Sequence, residues 1–187
     1  DTLIQNTGIR SPFFFTNQPD ELNSLLERKT KLISIMHGAD SFLAQQPVNV
    51  ESYDVELGVF TNYDIKDRLN DVLSDYESYH LLSSDGNLAD VVDSVVQPIG
   101  IHKLYRNYKT SLITNESLYF PQSFFDSLLY GNSTYFKPKY SSQDSKAREV
   151  INSILDTDQN LVYNKKESNV DFDSLKKTVL QKHTCLS

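Results

Sequence analysis

Residues 53–82 read YDVELGVFTNYDIKDRLNDVLSDYESYHLL, and the reading of this stretch decides the fold. Tyr53, Val55, Leu57 and Val59 alternate with other residues at the period of a strand that buries one face. Asn62 or Asp64 is placed to cap a following helix, in which Ile65, Leu69, Val72, Leu73 and Tyr76 recur on one helical face. Tyr79 to Leu82 is again a short strand. Strand, helix, strand with short links implies a parallel pair joined by a right-handed crossover.

The same alternation extends on both sides. Upstream, Lys31-Leu32-Ile33-Ser34-Ile35-Met36 reads as a first strand, closed by the turn residues His37-Gly38-Ala39-Asp40. Val48 and Val50 are out of phase with Tyr53 and Val55, which places a bulge or strand junction near Ser52. Downstream, Ser83-Ser84-Asp85-Gly86 leads into a helix with Leu88, Val91, Val92, Val95 and Val96 on one side, stopped by Pro98 and Gly100. Ile99 to Tyr105 gives a further strand. The expected fold class is therefore α/β, with a Rossmann-like three-layer core, a partly parallel sheet and additional C-terminal helices.

The remainder departs from strict alternation. Leu112-Ile113-Thr114 and Ser117-Leu118-Tyr119 suggest an edge hairpin around Asn115-Glu116. Pro121 starts and Gly131 stops a short helix carrying Phe124, Phe125, Leu128 and Leu129, because Pro loses no helical bond in the first turn. Tyr130 to Ser142 reads as an ordered surface loop. Ala147, Val150, Ile151, Ile154 and Leu155 mark an amphipathic helix, and Leu161-Val162-Tyr163 a short strand. Val170, Phe172, Leu175, Val179 and Leu180 mark a last helix, with acids early and Lys182 and His183 late, as the helix dipole favours.

At the front, residues 1–18 hold Gly8, Pro12 and the cluster Phe13-Phe14-Phe15 without a steady period. They are expected to form an arm preceding a single domain over residues 19–187. Pro19, Asp20 and Glu21 then open a helix buried through Leu22, Leu25 and Leu26. A chain of 187 residues buries roughly 70% of its unfolded surface on folding, so its core needs no covalent staple.

Charge narrows the function classes. The net charge of -7 disfavours nucleic acid and anionic membranes as partners unless cations gather locally. The segment from Glu51 to Asp93 is strongly acidic, whereas Lys103, Arg106, Lys109, Lys137 and Lys139 follow it. No apolar run approaches the roughly 20 residues of a membrane span. Cys185 is the only cysteine, so no internal disulfide forms and an intracellular setting, cytoplasmic or nuclear, is expected. The sequons at Asn115 and Asn132 are what an Asn-, Ser- and Thr-rich chain yields by chance.

Phosphate-cradling glycine loops, zinc-protease helices, nucleophile elbows, paired CxxC and calcium loops are all missing from the sequence. No cofactor and no metal site is expected, and His80, His102 and His183 stand on separate elements. Ligands of open α/β sheets bind beyond the carboxyl ends of the strands. There the sequence offers His37 and Asp40, Thr61 and Asn62, then Ser83, Ser84 and Asp85. His37, Asp40 and Asp85 converging would suit a hydrolase of phosphoesters or acyl groups, although Asp40 and Asp85 also fit as ordinary turn and cap residues.

Two segments interleave rings with cations: Tyr105, Arg106, Lys109, and Tyr135, Phe136, Lys137, Lys139, Tyr140. Single-stranded nucleic-acid binders do this, and so do loops whose rings pack inward while their lysines stay wet. Missing motifs and apolar segments lead to the principal expectation: a non-catalytic protein-interaction or regulatory subunit. Phe13, Phe14 and Phe15 or the Tyr135–Tyr140 segment would meet another protein subunit.

Overall fold

The computed structural model describes residues 13–16, 31–34, 53, 55–65, 70–96, 104–116, 118, 120–164 and 169–182. The chain divides into two compact units, Asp1–His37 and Gly38–Ser187. The expected boundary at residues 18 and 19 lies outside the described residues, as do the helix after Pro19 and the strand around Val48.

In the first unit, β1 (Phe13–Thr16) pairs in parallel with β2 (Lys31–Ser34), Phe14 opposite Leu32. The phenylalanine cluster of the expected arm forms a strand, and the Lys31 strand pairs with it instead of opening the larger sheet.

The second unit holds a five-stranded, all-parallel sheet with helices on both sides. Its strands are β3 (Val55–Phe60), β4 (Tyr79–Ser83), β5 (Ser94–Val95), β6 (Tyr108–Asn115) and β7 (Ser133–Pro138). Their spatial order is β5-β4-β3-β6-β7. Starting from β3 the chain winds outward to β5, then returns to the centre at β6 and winds the other way. Right-handed crossovers running in opposite directions put their connections on opposite faces of the sheet. The fold is thus α/β and Rossmann-like, with additional C-terminal helices.

On one face Leu57, Val59, Leu81 and Leu112 are buried with Tyr63, Ile65 and Val72, the last from α1 (Asn70–Leu73). On the other face Phe60, Leu82, Ile113 and Phe136 meet α2 (Gln122–Tyr130), α3 (Asp144–Leu155) and α4 (Phe172–Lys182). As expected, Pro121 precedes α2 and Gly131 ends it, the Gly131 N–H donating to the Ser127 carbonyl. α3 closes on Asp156, whose φ of 51° is the left-handed cap conformation.

Three local expectations fail for physical reasons. The valine-rich segment is not a helix: Gly86–Leu88 forms a 3-10 turn and Ser94–Val95 a strand. β-branched residues lose rotamer freedom in a helix, and here they pack at a sheet edge. Of the expected strand Ile99–Tyr105, residues 99–103 lie outside the described residues, and Tyr105 opens a 3-10 turn over Tyr105–Asn107. The supposed hairpin around Asn115 is instead the C-terminal part of β6, the strand that pairs with both β3 and β7. Its buried positions include Thr110, Ser111 and Thr114, which hide the apolar signature of a doubly covered strand. The Tyr130–Ser142 loop likewise contains β7, with Phe136 fully buried.

A glycine makes the centre of the sheet possible. Gly58 lies opposite Ser111, and a Cβ there would strike the Tyr108 ring. The close approach lets Tyr108 meet Phe60 and His80 edge-on at 6.0 Å each, and its hydroxyl pairs with His80 Nδ1 at 3.2 Å.

Candidate functional site

The chain reverses its winding direction between β3 and β6, which opens a crevice at their carboxyl ends where ligands of this architecture bind. Thr61 and Asn62 enter it from β3, Ser83 and Ser84 from β4, Asn115 from β6 and Ser123 from α2. Sequence reasoning placed the first four correctly. It missed Asn115 because that residue was read as the tip of a hairpin.

The crevice is small and largely occupied by its own hydrogen bonds. Its volume is about 150 Å³, below the range of roughly 300–1,000 Å³ usual for small-molecule sites. Ser83 Oγ donates to the Thr61 carbonyl at 2.8 Å, and the Asp85 N–H donates to Ser83 Oγ at 3.1 Å. Thr61 Oγ1 donates to the Tyr63 carbonyl at 2.7 Å. The Asn62 amide donates to Asn115 Oδ1, which also accepts from the Glu116 N–H at 3.1 Å. Among the described residues no ionisable side chain lines it.

His37 and Asp40 lie outside the described residues. Asp85 accepts the Asn87 N–H at 2.9 Å and so caps the 3-10 turn, the structural role its position also suggested. Among the described residues no three His, Cys, Asp or Glu side chains gather as a metal site.

The ring-and-cation segments also resolve into particular contacts. Tyr105 is fully buried against Phe60 at 4.6 Å, and burial pushes its hydroxyl pKa up. Arg106 lies 5.5 Å over the Tyr130 ring. Lys109 is exposed and stands 3.9 Å from Glu56. Tyr135 meets Tyr163 and Phe172 edge-on, at 6.0 and 5.6 Å. Tyr105 thus packs into the core and Tyr135 is half-buried, while Tyr140 stays exposed. Phe13, Phe14 and Phe15 form β1 in the other unit. The Asn132 side chain donates to the Tyr108 carbonyl at 2.9 Å, and Asn115 is buried, so both sequon asparagines are engaged in the fold.

A larger trough of about 660 Å³ lies beside β7 and α3, lined by Val72, Lys137, Asp144, Arg148, Asn152 and Tyr163 among others. Lys137 Nζ bonds Asp144 Oδ2 at 3.0 Å, and both side chains are partly shielded. Tyr163 donates to Asp75 Oδ2 at 2.7 Å. Burial and this bond hold the Tyr163 phenol above its ordinary pKa. Asp144 Oδ1 and Asn152 Oδ1 are buried acceptors that meet no donor.

A second hollow of about 340 Å³ shares Lys137 and Ser141 with the trough and continues past Lys139 to Tyr140 and Tyr63. Lys139 pairs with Glu116 and lies 5.4 Å from the Tyr63 ring and 5.7 Å from that of Tyr140. Tyr140 is 44% exposed and forms the apolar part of the rim. Lys137, Lys139 and Tyr140 were legible as binding candidates. Asp144, Arg148 and Asn152 were not, since polar residues at intervals of four on an amphipathic helix read as an ordinary solvated face.

In comparisons with protein-family models, curated proteins and solved structures, nothing matches this chain.

Proposed function

We propose that the domain is a non-catalytic protein-interaction or regulatory subunit of an intracellular assembly, and that it receives another protein along the trough between Lys137, α3 and Tyr140. The observation that carries this reading is the contrast between the two hollows. The crevice where α/β enzymes hold their substrates is about 150 Å³ and closed by neutral amides and hydroxyls. The trough is about 660 Å³, and an exposed aromatic ring stands on the rim of the hollow that continues it. Tyrosine is a common anchor at protein interfaces because it supplies area at low entropic cost and keeps a polar handle.

No described helix is long and apolar enough to cross a membrane. That agrees with a partner met in water, and the net charge of -7 favours one with a basic surface.

A photo-crosslinking residue at position 140, expressed in the native host, tests the proposal against the same residue at position 177, exposed on α4. The expected result is one discrete heterologous adduct from position 140 and none from 177. Equal labelling from the two positions, or no adduct from 140, overturns it.

A further inference from the structure

The hollow beyond the end of β7 differs from the trough beside it in the sign of its lining. Lys137, Lys139, Ser141 and Ser142 line it together with Tyr63 and Tyr140, and no Asp or Glu is among its described lining residues. In the trough, by contrast, Asp144 and Glu149 balance Lys137 and Arg148. β7 ends at Pro138, which also lines the hollow. The hollow thus opens past the carboxyl end of a strand, the side on which this architecture receives ligands.

These groups are within reach of a ligand. Ser141 and Ser142 are exposed, and the side chains of Lys137 and Lys139 are partly shielded without being closed off. Charges shielded in this way are screened less by water and salt than fully hydrated ones. Lys139 is also held in place, its ammonium lying over the Tyr63 and Tyr140 rings, so less side-chain freedom is lost on binding.

Both ammonium groups already meet a carboxylate, Lys137 that of Asp144 and Lys139 that of Glu116. This decides the charge of the occupant. The Glu116 side chain is 60% exposed, and an ion pair in such a place is weak enough to open. A monoanion in its place would exchange one carboxylate for another, with no gain in charge. A phosphomonoester carries about -1.5 to -2 charges at pH 7 and three acceptor oxygens. It can replace Glu116 on Lys139 and still accept from Lys137 and a serine hydroxyl. An ammonium has three N–H donors, so Lys137 can keep Asp144 as well. The volume of about 340 Å³ admits a phosphoryl group and several further atoms, at the lower end of the roughly 300–1,000 Å³ usual for ligand sites. The whole chain's charge of -7 opposes an anion at long range, but that field is screened over about 8 Å in physiological salt, whereas the lysines act at contact.

We propose that the hollow at the carboxyl end of β7 is a phosphomonoester site, in which Lys137, Lys139 and the Ser141 and Ser142 hydroxyls hold the dianion, and Glu116 is the internal group that it displaces from Lys139. Binding there needs no protein in the trough, so the purified chain suffices to test it.

Inorganic phosphate and acetyl-O-phosphoserine methylamide are each titrated into the full, isotope-labelled chain at a constant ionic strength of about 0.15 M, with acetate as the monoanionic control. Saturable amide shifts at Glu116 and over Lys137–Ser142 are expected with both phosphates, and acetate is expected to bind about tenfold more weakly or worse. Lys139→Gln is expected to weaken phosphate about tenfold, a melting curve like that of the parent chain establishing that the variant is folded. Glu116→Gln is expected to tighten it about fivefold, equivalent to about 1 kcal/mol for an exposed ion pair, a gain that damage to the fold cannot produce. Acetate binding as tightly as phosphate, shifts spread over Lys109, Lys146 and Lys177, an unchanged Kd in Lys139→Gln, or no tightening in Glu116→Gln overturns the inference. Tighter binding of the phosphoserine compound than of inorganic phosphate upholds the site and assigns it to a phosphorylated peptide, and the reverse order upholds it for a small free phosphate.

Discussion

The two halves of the sheet are built to different thickness. From β6 onward the strands are eight and six residues long and their crossover helix, α2, has nine. From β3 outward the strands shrink from six residues to five to two. The face carrying α2 buries Phe120, Phe124, Phe125 and Phe136 in one aromatic group, joined by Phe60 of β3 and Leu82 of β4, with Phe120 and Phe136 centred 4.5 Å apart. The opposite face buries Leu57, Val59 and Leu81, with Leu112 of β6, against Val72, Tyr63 and Ile65. Opposite winding from one central pair gives every such fold two faces, but it does not oblige them to carry equal apolar area. The thick half anchors the unit. Its outer side, where α3 follows β7, also carries the trough.

Matched leucines measure the difference. Leu128 on α2 and Leu81 on β4 are both nearly inaccessible, at 1% and 4%. Leucine-to-alanine changes cost about 2–5 kcal/mol, the larger values where neighbours cannot collapse into the space. Leu128→Ala is expected near about 4 kcal/mol, because aromatic rings and three helices frame it. Leu81→Ala is expected to cost about 2 kcal/mol, because its strand runs beside the two-residue β5, where neighbours can relax into the space. Urea unfolding of the two variants checks this, and equal costs would erase the proposed asymmetry.

Gly58 lies where the halves meet. Gly58→Ala forces a methyl against the Tyr108 ring, and overpacking of this kind costs about 1–3 kcal/mol. Tyr108→Leu alone also destabilises, since it removes the ring contacts with Phe60 and His80. In the double variant the clash has nothing to meet, so the two losses are expected to sum to less than their separate values. Strict additivity would mean that the glycine serves some other neighbour.

Sequence alone gave good access to whatever obeys a single period. α2, α3 and α4 follow from their apolar stripes and from Pro121 and Gly131, and β3 and β4 from alternation. β6 was invisible for a physical reason. A strand covered on both faces has no alternation, and this one mixes buried Thr110, Ser111 and Thr114 with Leu112 and Ile113. Gly58 carried no sign of Tyr108, fifty residues away. Valines 91, 92, 95 and 96 matched a helical face by spacing, but only the turn at Val91 and Val92, bonded back to the Leu88 carbonyl, forms, and Val95 continues in the strand β5, where its branching fits. The crevice was legible from strand ends because topology fixes its place. The trough was not, because its orphaned acceptors depend on how α3 packs beside β7, which no local pattern encodes.

The smallest expected effect tests whether the thin half opens by itself. Its edge is secured by Asp93: the carboxylate accepts the Leu81 N–H at 2.7 Å, and the Asp93 N–H donates to the Leu81 carbonyl at 2.9 Å. One side chain thereby substitutes for a missing strand where β5 is only two residues long. Asp93→Ala removes the first bond and leaves the second, at a cost of about 1 kcal/mol. Because the loss falls on the least buried strand pair, it should lower a local opening barrier rather than the global one. Amide exchange at Leu81 and Leu82 is then expected to accelerate about fivefold, while Leu112, Ile113 and Phe136 exchange as in the parent chain. Uniform acceleration across both halves would show that they open as one unit, and that unequal thickness leaves their cooperativity intact.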